Sequence, residues 1–148
     1  MILADFKAFP RSGRIIGIDW GARRIGVAVS DETRGFVFSR PVINLGRGDD
    51  ATTIVTRVIM DERATGVVVG LPLYPDGSES DTTKMVREFV AGLSKKIDLP
   101  IILVEENLTS VVAQESMGRV RVRDIKEKLD SESARVILEN AIALINRT

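Results

Sequence analysis

Val67-Val-Val-Gly-Leu71 is an unbroken apolar run five residues long. It is too short for a core helix and reads as a strand covered on both faces. A sheet with such a strand at its centre needs helices on both sides. A second run, Ile101–Glu105, follows Pro100 and has the same character. Between the two runs, Met85, Val86, Phe89, Val90 and Leu93 recur at helical spacing over about Asp81–Lys96. Strand, helix and strand in that order imply a parallel pair with a crossover.

The first half of the chain is organised differently. Residues 1–13 read as a short irregular N-terminal extension, broken by Pro10 and Gly13. Arg14–Asp19 and Ile25–Ser30 are rich in β-branched residues and joined by a glycine-bearing turn, as expected of neighbouring strands. A third strand covers Gly35–Val42 and is expected to end at the Arg40–Pro41 break. Asp49 or Asp50 caps a helix running to about Ala64, with Ile54, Val55, Val58 and Ile59 on one face. A short helix is expected around Ser110–Met117, then a basic stretch, Arg119–Arg123, and a last helix over Ser131–Asn146. The expected architecture is α/β: one domain, residues 14–148, with a mixed five-stranded sheet flanked by helices.

Composition narrows the chemistry. The chain has no cysteine and no histidine, which excludes thiolate nucleophiles, zinc sites of the usual kind and every Ser-His-Asp triad. Hydrolysis would have to run on carboxylates, lysines or hydroxyls, with an oxygen-ligated metal as the natural activator. The 21 basic and 21 acidic residues cancel, so binding to nucleic acid by net charge alone is disfavoured. Arginine nevertheless outnumbers lysine and is clustered, and a neutral total can hide an acidic pocket beside a basic strip. No apolar stretch is long enough to span a membrane, and the N-terminus lacks the layout of a signal peptide, so a cytoplasmic location is expected.

Three acidic features stand out. Asp19 ends an apolar strand inside Gly17-Ile-Asp-Trp-Gly21, where flanking glycines let a metal or phosphate approach. An ordinary turn aspartate is the competing explanation. Glu105 and Glu106 end the fifth expected strand and point to opposite faces, so one of them would enter a shared site and the other would be solvated. Asp130 precedes the last helix, where a capping role competes with a functional one. Gathered together, these carboxylates repel one another unless a cation is present. A pair of Mg²⁺ ions roughly 4 Å apart would relieve that repulsion and activate water for attack on a phosphodiester, without histidine.

Four segments resemble the YqgF (RuvX) family. Gly17-Ile-Asp-Trp-Gly21 with Arg24-Ile-Gly-Val-Ala-Val-Ser-Asp31 is similar to the family's opening. Gly70-Leu-Pro-Leu-Tyr-Pro-Asp-Gly-Ser78 resembles its middle loop, and Glu105-Glu-Asn-Leu-Thr-Ser110 its Asp-Glu-Arg-Leu-Thr segment. Lys126-Glu-Lys-Leu-Asp130, leading to Ala134 and Ile137-Leu138, resembles the closing helix. The resemblance spans roughly residues 14–145 in the right order. It implies a ribonuclease H-like fold and a nuclease that trims the 5′ end of pre-16S ribosomal RNA in ribosome biogenesis. An alternative, from similarity to RuvC, is a resolvase of Holliday junctions in DNA. The implied metal-binding set is Asp19, Glu105, Glu106 and Asp130, holding Mg²⁺ or Mn²⁺, with Asp19, Glu106 and Asp130 catalytic. Glu106 is preferred over Glu105 because it occupies the family's glutamate position. Three positions depart from the pattern: Glu105 replaces aspartate, Asn107 replaces an arginine and thereby removes a phosphate contact, and Ser133 replaces an alanine.

Arg23 and Arg24 beside the Asp19 strand, and Arg119, Arg121 and Arg123 ahead of Asp130, are placed to hold a nucleic-acid backbone. A solvated basic loop is the plainer account of the last three. Ser78, in a loop running into a helix N-terminus, would bind phosphate or simply cap the turn. Trp20 would stack on a base, although burial under the sheet is the more ordinary role. Asp31 and Asp61 read as surface or turn residues. Two further classes compete with a nuclease. An actin- or sugar-kinase-like ATPase also opens with strand–Asp-x-Gly–strand, but needs two such domains to enclose its nucleotide. A non-catalytic RNA-binding assembly factor would retain the fold without the metal. The polar outer faces of the helices, with Arg57, Asp61, Arg87, Glu88, Arg135 and Glu139, suggest a monomer.

Overall fold

The computed structural model describes the backbone of residues 1–107 and 122–148; side chains are described outside residues 107–131. The expected short helix over Ser110–Met117, together with Arg119 and Arg121, lies outside the described residues. Six strands form one sheet among the described residues: β1 (Ile2–Leu3), β2 (Ile15–Asp19), β3 (Arg24–Ser30), β4 (Val37–Asn44), β5 (Gly66–Leu73) and β6 (Ile101–Asn107). Helix α1 (Ala51–Asp61) lies between β4 and β5, α2 (Asp81–Ser94) between β5 and β6, and α3 (Val122–Asn146) follows β6. The order across the sheet is β1-β6-β5-β2-β3-β4. β2, β5, β6 and β1 are parallel neighbours, whereas β2–β3 and β3–β4 are antiparallel. The mixed sheet and its helices match the expected architecture, with one strand more than the five anticipated.

The additional strand comes from the lead-in. Ile2 and Leu3 pair with Ile101 and Ile102, and the Ile101 N–H donates to the Met1 carbonyl at 2.7 Å. Two residues carry too little alternation to announce a strand. Further on, Phe9 is buried and meets Phe6 edge-on at 5.5 Å between ring centroids. Arg34, in the left-handed region at φ 65°, stands over the Phe9 ring and donates to the Ser12 and Gly13 carbonyls. These contacts hold residues 6–13 against the domain.

β4 runs through Pro41 rather than stopping there. It is an edge strand, so a missing N–H leaves no ladder partner unsatisfied. The register shifts at this point: Ile25 faces Ile43 while Val27 faces Arg40, which accommodates Pro41 in a bulge.

The helices start where capping chemistry puts them. Asp50 caps α1, accepting from the Thr52 N–H at 3.1 Å, and Lys96 reaches the same carboxylate at 3.2 Å. Ser80 caps α2 in a reciprocal arrangement with Thr83. Val55 and Ile59 of α1 and Val86, Phe89, Val90 and Leu93 of α2 are buried against one face of the sheet; Met85 is exposed instead of packed. The other face is covered by α3 through Ala134, Ile137, Leu138, Ala141 and Ile145. α3 begins at Val122, so Asp130 lies inside the helix and is not its cap. The reason is composition: residues 122–130 contain lysine, glutamate and leucine and neither glycine nor proline, and continue the helix upstream.

α3 comes close to the sheet at Gly17. A Cβ there would stand 2.9 Å from the Leu138 Cβ and 3.1 Å from the Ala134 carbonyl oxygen. Relief requires a backbone shift, so Gly17→Ala is expected to destabilise the protein by about 1–3 kcal/mol. Urea unfolding measures this, and an unchanged midpoint would contradict the close approach. Among the described residues, no helix is long and apolar enough to cross a membrane.

Candidate active site

Parallel pairing of β2, β5 and β6 brings their C-terminal ends to one edge of the sheet. Asp19 is the last residue of β2, and Glu106 is the last but one of β6. β5 separates these two strands, whose backbones therefore lie roughly 10 Å apart. Ile18 pairs with Val69, which leaves Asp19 level with the next residue of β5, Gly70. Gly70 in turn pairs with Val104, and Pro72 with Glu106.

Alternation decides which face each side chain takes. Gly17 meets α3, so Asp19, two residues on, shares that face. Ile102 and Val104 pack with α3, and Glu106 continues the series. Gly70 confirms the direction: a Cβ on it would collide with Ile137 Cδ1 of α3 and stand 2.9 Å from the Glu106 Oε2. The glutamate thus leans across β5 over Gly70, which has no side chain to obstruct it. Its carboxyl is half-buried, and burial pushes it up to about 7. Glu105 takes the other face and is exposed. Glycine within an otherwise apolar run was the available signal for this gap, but its purpose depends on which strand lies next door.

The remaining predicted residues fall into place unevenly. Asp130 belongs to α3, one turn before Ala134, and its side chain is outside the described residues, as is that of Arg123. Arg24 opens β3 and is half-buried, while Arg23 is exposed in the β2–β3 turn beside Asp19. Ser78 is exposed, and its N–H and hydroxyl both engage the Asp76 carboxylate, at 2.9 and 2.6 Å. It closes the turn after β5, while Ser80 does the helix capping. Trp20 is half-buried and packs against the core, 6.3 Å from the Phe89 ring. Asp31 holds a turn by accepting from Thr33 and Phe36, and Asp61 is exposed at the end of α1. Among the described residues no group of three or more acidic side chains gathers around one point. Asp19 and Glu106 supply two members of the expected set, all oxygen donors suited to a hard divalent cation.

A strand-terminal aspartate beside an antiparallel hairpin, with parallel strands following and a helix across the face, defines the ribonuclease H-like class. Solved structures agree on the fold. RuvC of Thermus thermophilus, bound to a Holliday junction substrate, superposes with a TM-score of 0.55 at 14% identity over 92% of this chain and 97% of that one. The Holliday junction resolvase of fowlpox virus superposes with a TM-score of 0.51 at 13% identity, covering 87% of this chain and 96% of that one.

Sequence comparison is more specific. The RuvX family, described as "Holliday junction resolvase", matches residues 13–143. A Maridesulfovibrio salexigens protein named "Putative pre-16S rRNA nuclease" is 37% identical over 132 residues, covering 88% of this chain and 98% of its own. A Pelagibacter ubique protein of the same name is 33% identical over 147 residues, covering 97% of each. The chain belongs to the RuvX family.

Proposed function

We propose that this protein is a metal-dependent nuclease that hydrolyses phosphodiester bonds in structured RNA, at the 5′ end of pre-16S ribosomal RNA. The observation that carries the proposal is the Glu106 carboxylate leaning over Gly70 on the face that Asp19 shares. The name of the relatives supports RNA as the substrate. Asp19, Glu106 and Asp130 would hold Mg²⁺ or Mn²⁺. When bound, such an ion supplies Lewis acidity and charge neutralisation at the phosphodiester. With such an ion bound, Glu106 would hold it as the carboxylate, since a nearby positive charge would offset the cost of a buried negative one. Glu105, on the opposite face, would at most shape the outer field. Arg23 and Arg24, in the turn and strand that follow Asp19, position the nucleic-acid backbone, joined by Arg119, Arg121 and Arg123. The protein acts as a monomer, since the exposed faces of α1 and α2 carry Arg57, Asp61, Arg87 and Glu88.

The family description favours a second reading, cleavage of DNA junctions. Incubation with structured RNA and with a four-way DNA junction, each in Mg²⁺ and in Mn²⁺, separates the two. RNA cleavage that stops in EDTA, by a monomer in sedimentation, is expected. Paired nicks in the junction from a tight dimer would establish the resolvase. RNA binding without cleavage in either metal would make the protein an assembly factor.

A further inference from the structure

We propose that Tyr74 stacks on an unpaired nucleobase of the RNA strand bound at the carboxylate edge, an inference that rests on the nuclease reading above. Tyr74 is the first residue beyond β5, the strand that lies between those of Asp19 and Glu106. It therefore emerges between the two carboxylate-bearing strands, at their C-terminal ends. It follows Gly70 and Pro72 at strand spacing, and Pro72 is the cross-strand partner of Glu106. From Pro72 to Tyr74 is roughly 7 Å along the chain, about twice the rise of one nucleotide in a stacked strand.

Tyr74 is exposed, the residue keeping 47% of its full accessibility, yet its backbone is firmly held. The Tyr74 N–H donates to the Ser78 carbonyl at 3.0 Å, and the Gly77 N–H donates to the Tyr74 carbonyl at 2.8 Å. Asp76 and Ser78 lock the intervening turn. Leu73 bridges to Glu79, and the buried Thr83 hydroxyl donates to the Pro72 carbonyl. An aromatic ring on a pre-ordered turn binds a base without first having to order the loop. The sequence contains one tryptophan and one tyrosine, and the tryptophan at this edge, Trp20, is engaged with Phe89. Tyr74 is thus the accessible aromatic at the end of the central strand. Stacking of this kind tolerates any base, which suits an enzyme whose phosphate contacts carry no sequence information.

The test measures affinity for single-stranded RNA in an Asp19→Asn background, which keeps the strand uncut. Tyr74→Ala should weaken binding about 5- to 100-fold, while Tyr74→Phe stays within about twofold of the parent. An abasic nucleotide moved along the RNA should, at one position, weaken the parent and leave it equal to Tyr74→Ala. Melting temperatures of both variants should match the parent, because the ring is exposed. If the parent binds RNA and Tyr74→Ala binds it equally, or if no abasic position removes the difference, the stacking role is wrong and the nuclease reading stands. If the parent binds no RNA, the nuclease reading fails and this inference fails with it.

Discussion

Asp19→Asn, Glu106→Gln and Asp130→Asn each lower phosphodiester cleavage by about 10²–10⁴-fold while leaving the fold intact, as judged by circular dichroism and melting. The size follows from losing a ligand to an ion that contributes several kcal/mol at the transition state, at 1.36 kcal/mol per factor of ten. Glu105→Gln is the internal control. It sits one residue from Glu106 but on the exposed opposite face, so it should cost no more than about threefold. A reversal between the two glutamates would mean that the face assigned from Gly70 is wrong. Parent-like rates in all three of the first variants would remove the carboxylate site altogether.

The second large effect is one of stability. In metal-free protein, Glu106→Gln should be more stable than the parent by about 1–3 kcal/mol above pH 7. Burial raises the Glu106 carboxyl from its ordinary 4.5 to about 7 in the folded protein. Between those values the native state holds a proton that the unfolded chain has released. The parent's stability therefore falls as pH rises through this window, and the full cost is present above it. Below pH 4.5 both states are protonated and the advantage of glutamine vanishes. Urea unfolding at pH 4 and pH 8 in EDTA reads the difference. Mg²⁺ should then raise the stability of the parent at pH 8 and leave the variant nearly unchanged. A gain of equal size at both pH values would point to improved packing and not to relief of a buried charge.

Much of the scaffold was legible because apolar pattern and caps carry it. Val67–Leu71 as a strand covered on both faces, the Asp50 cap and the core face of α3 all follow from residue spacing, as does the mixed sheet. What escaped depended on neighbours distant in sequence. Ile2 and Leu3 become a strand only because β6 offers an unpaired edge. Pro41 ends nothing because β4 has no outer neighbour among the described strands. For the carboxylates, strand alternation showed that Glu105 and Glu106 part company but left both faces available. The resemblance to the RuvX family favoured Glu106, and the physical ground for that preference is Gly70, which opens space beside only one of them. The capping role that competed with a functional one at Asp130 rested on a local signal that the helix-forming residues upstream override.

The pairing of β1 with β6 also sets a timetable. Ile2 and Leu3 leave the ribosome long before their hydrogen-bonding partners, Ile101 and Ile102. At about 5–20 residues per second, that interval is on the order of 5–20 s of synthesis. Glu106 arrives just after it, and α3, which covers the face shared by Asp19 and Glu106, later still. Throughout that interval a nascent chain holds Asp19 without Glu106 and has no pair of carboxylates with which to act.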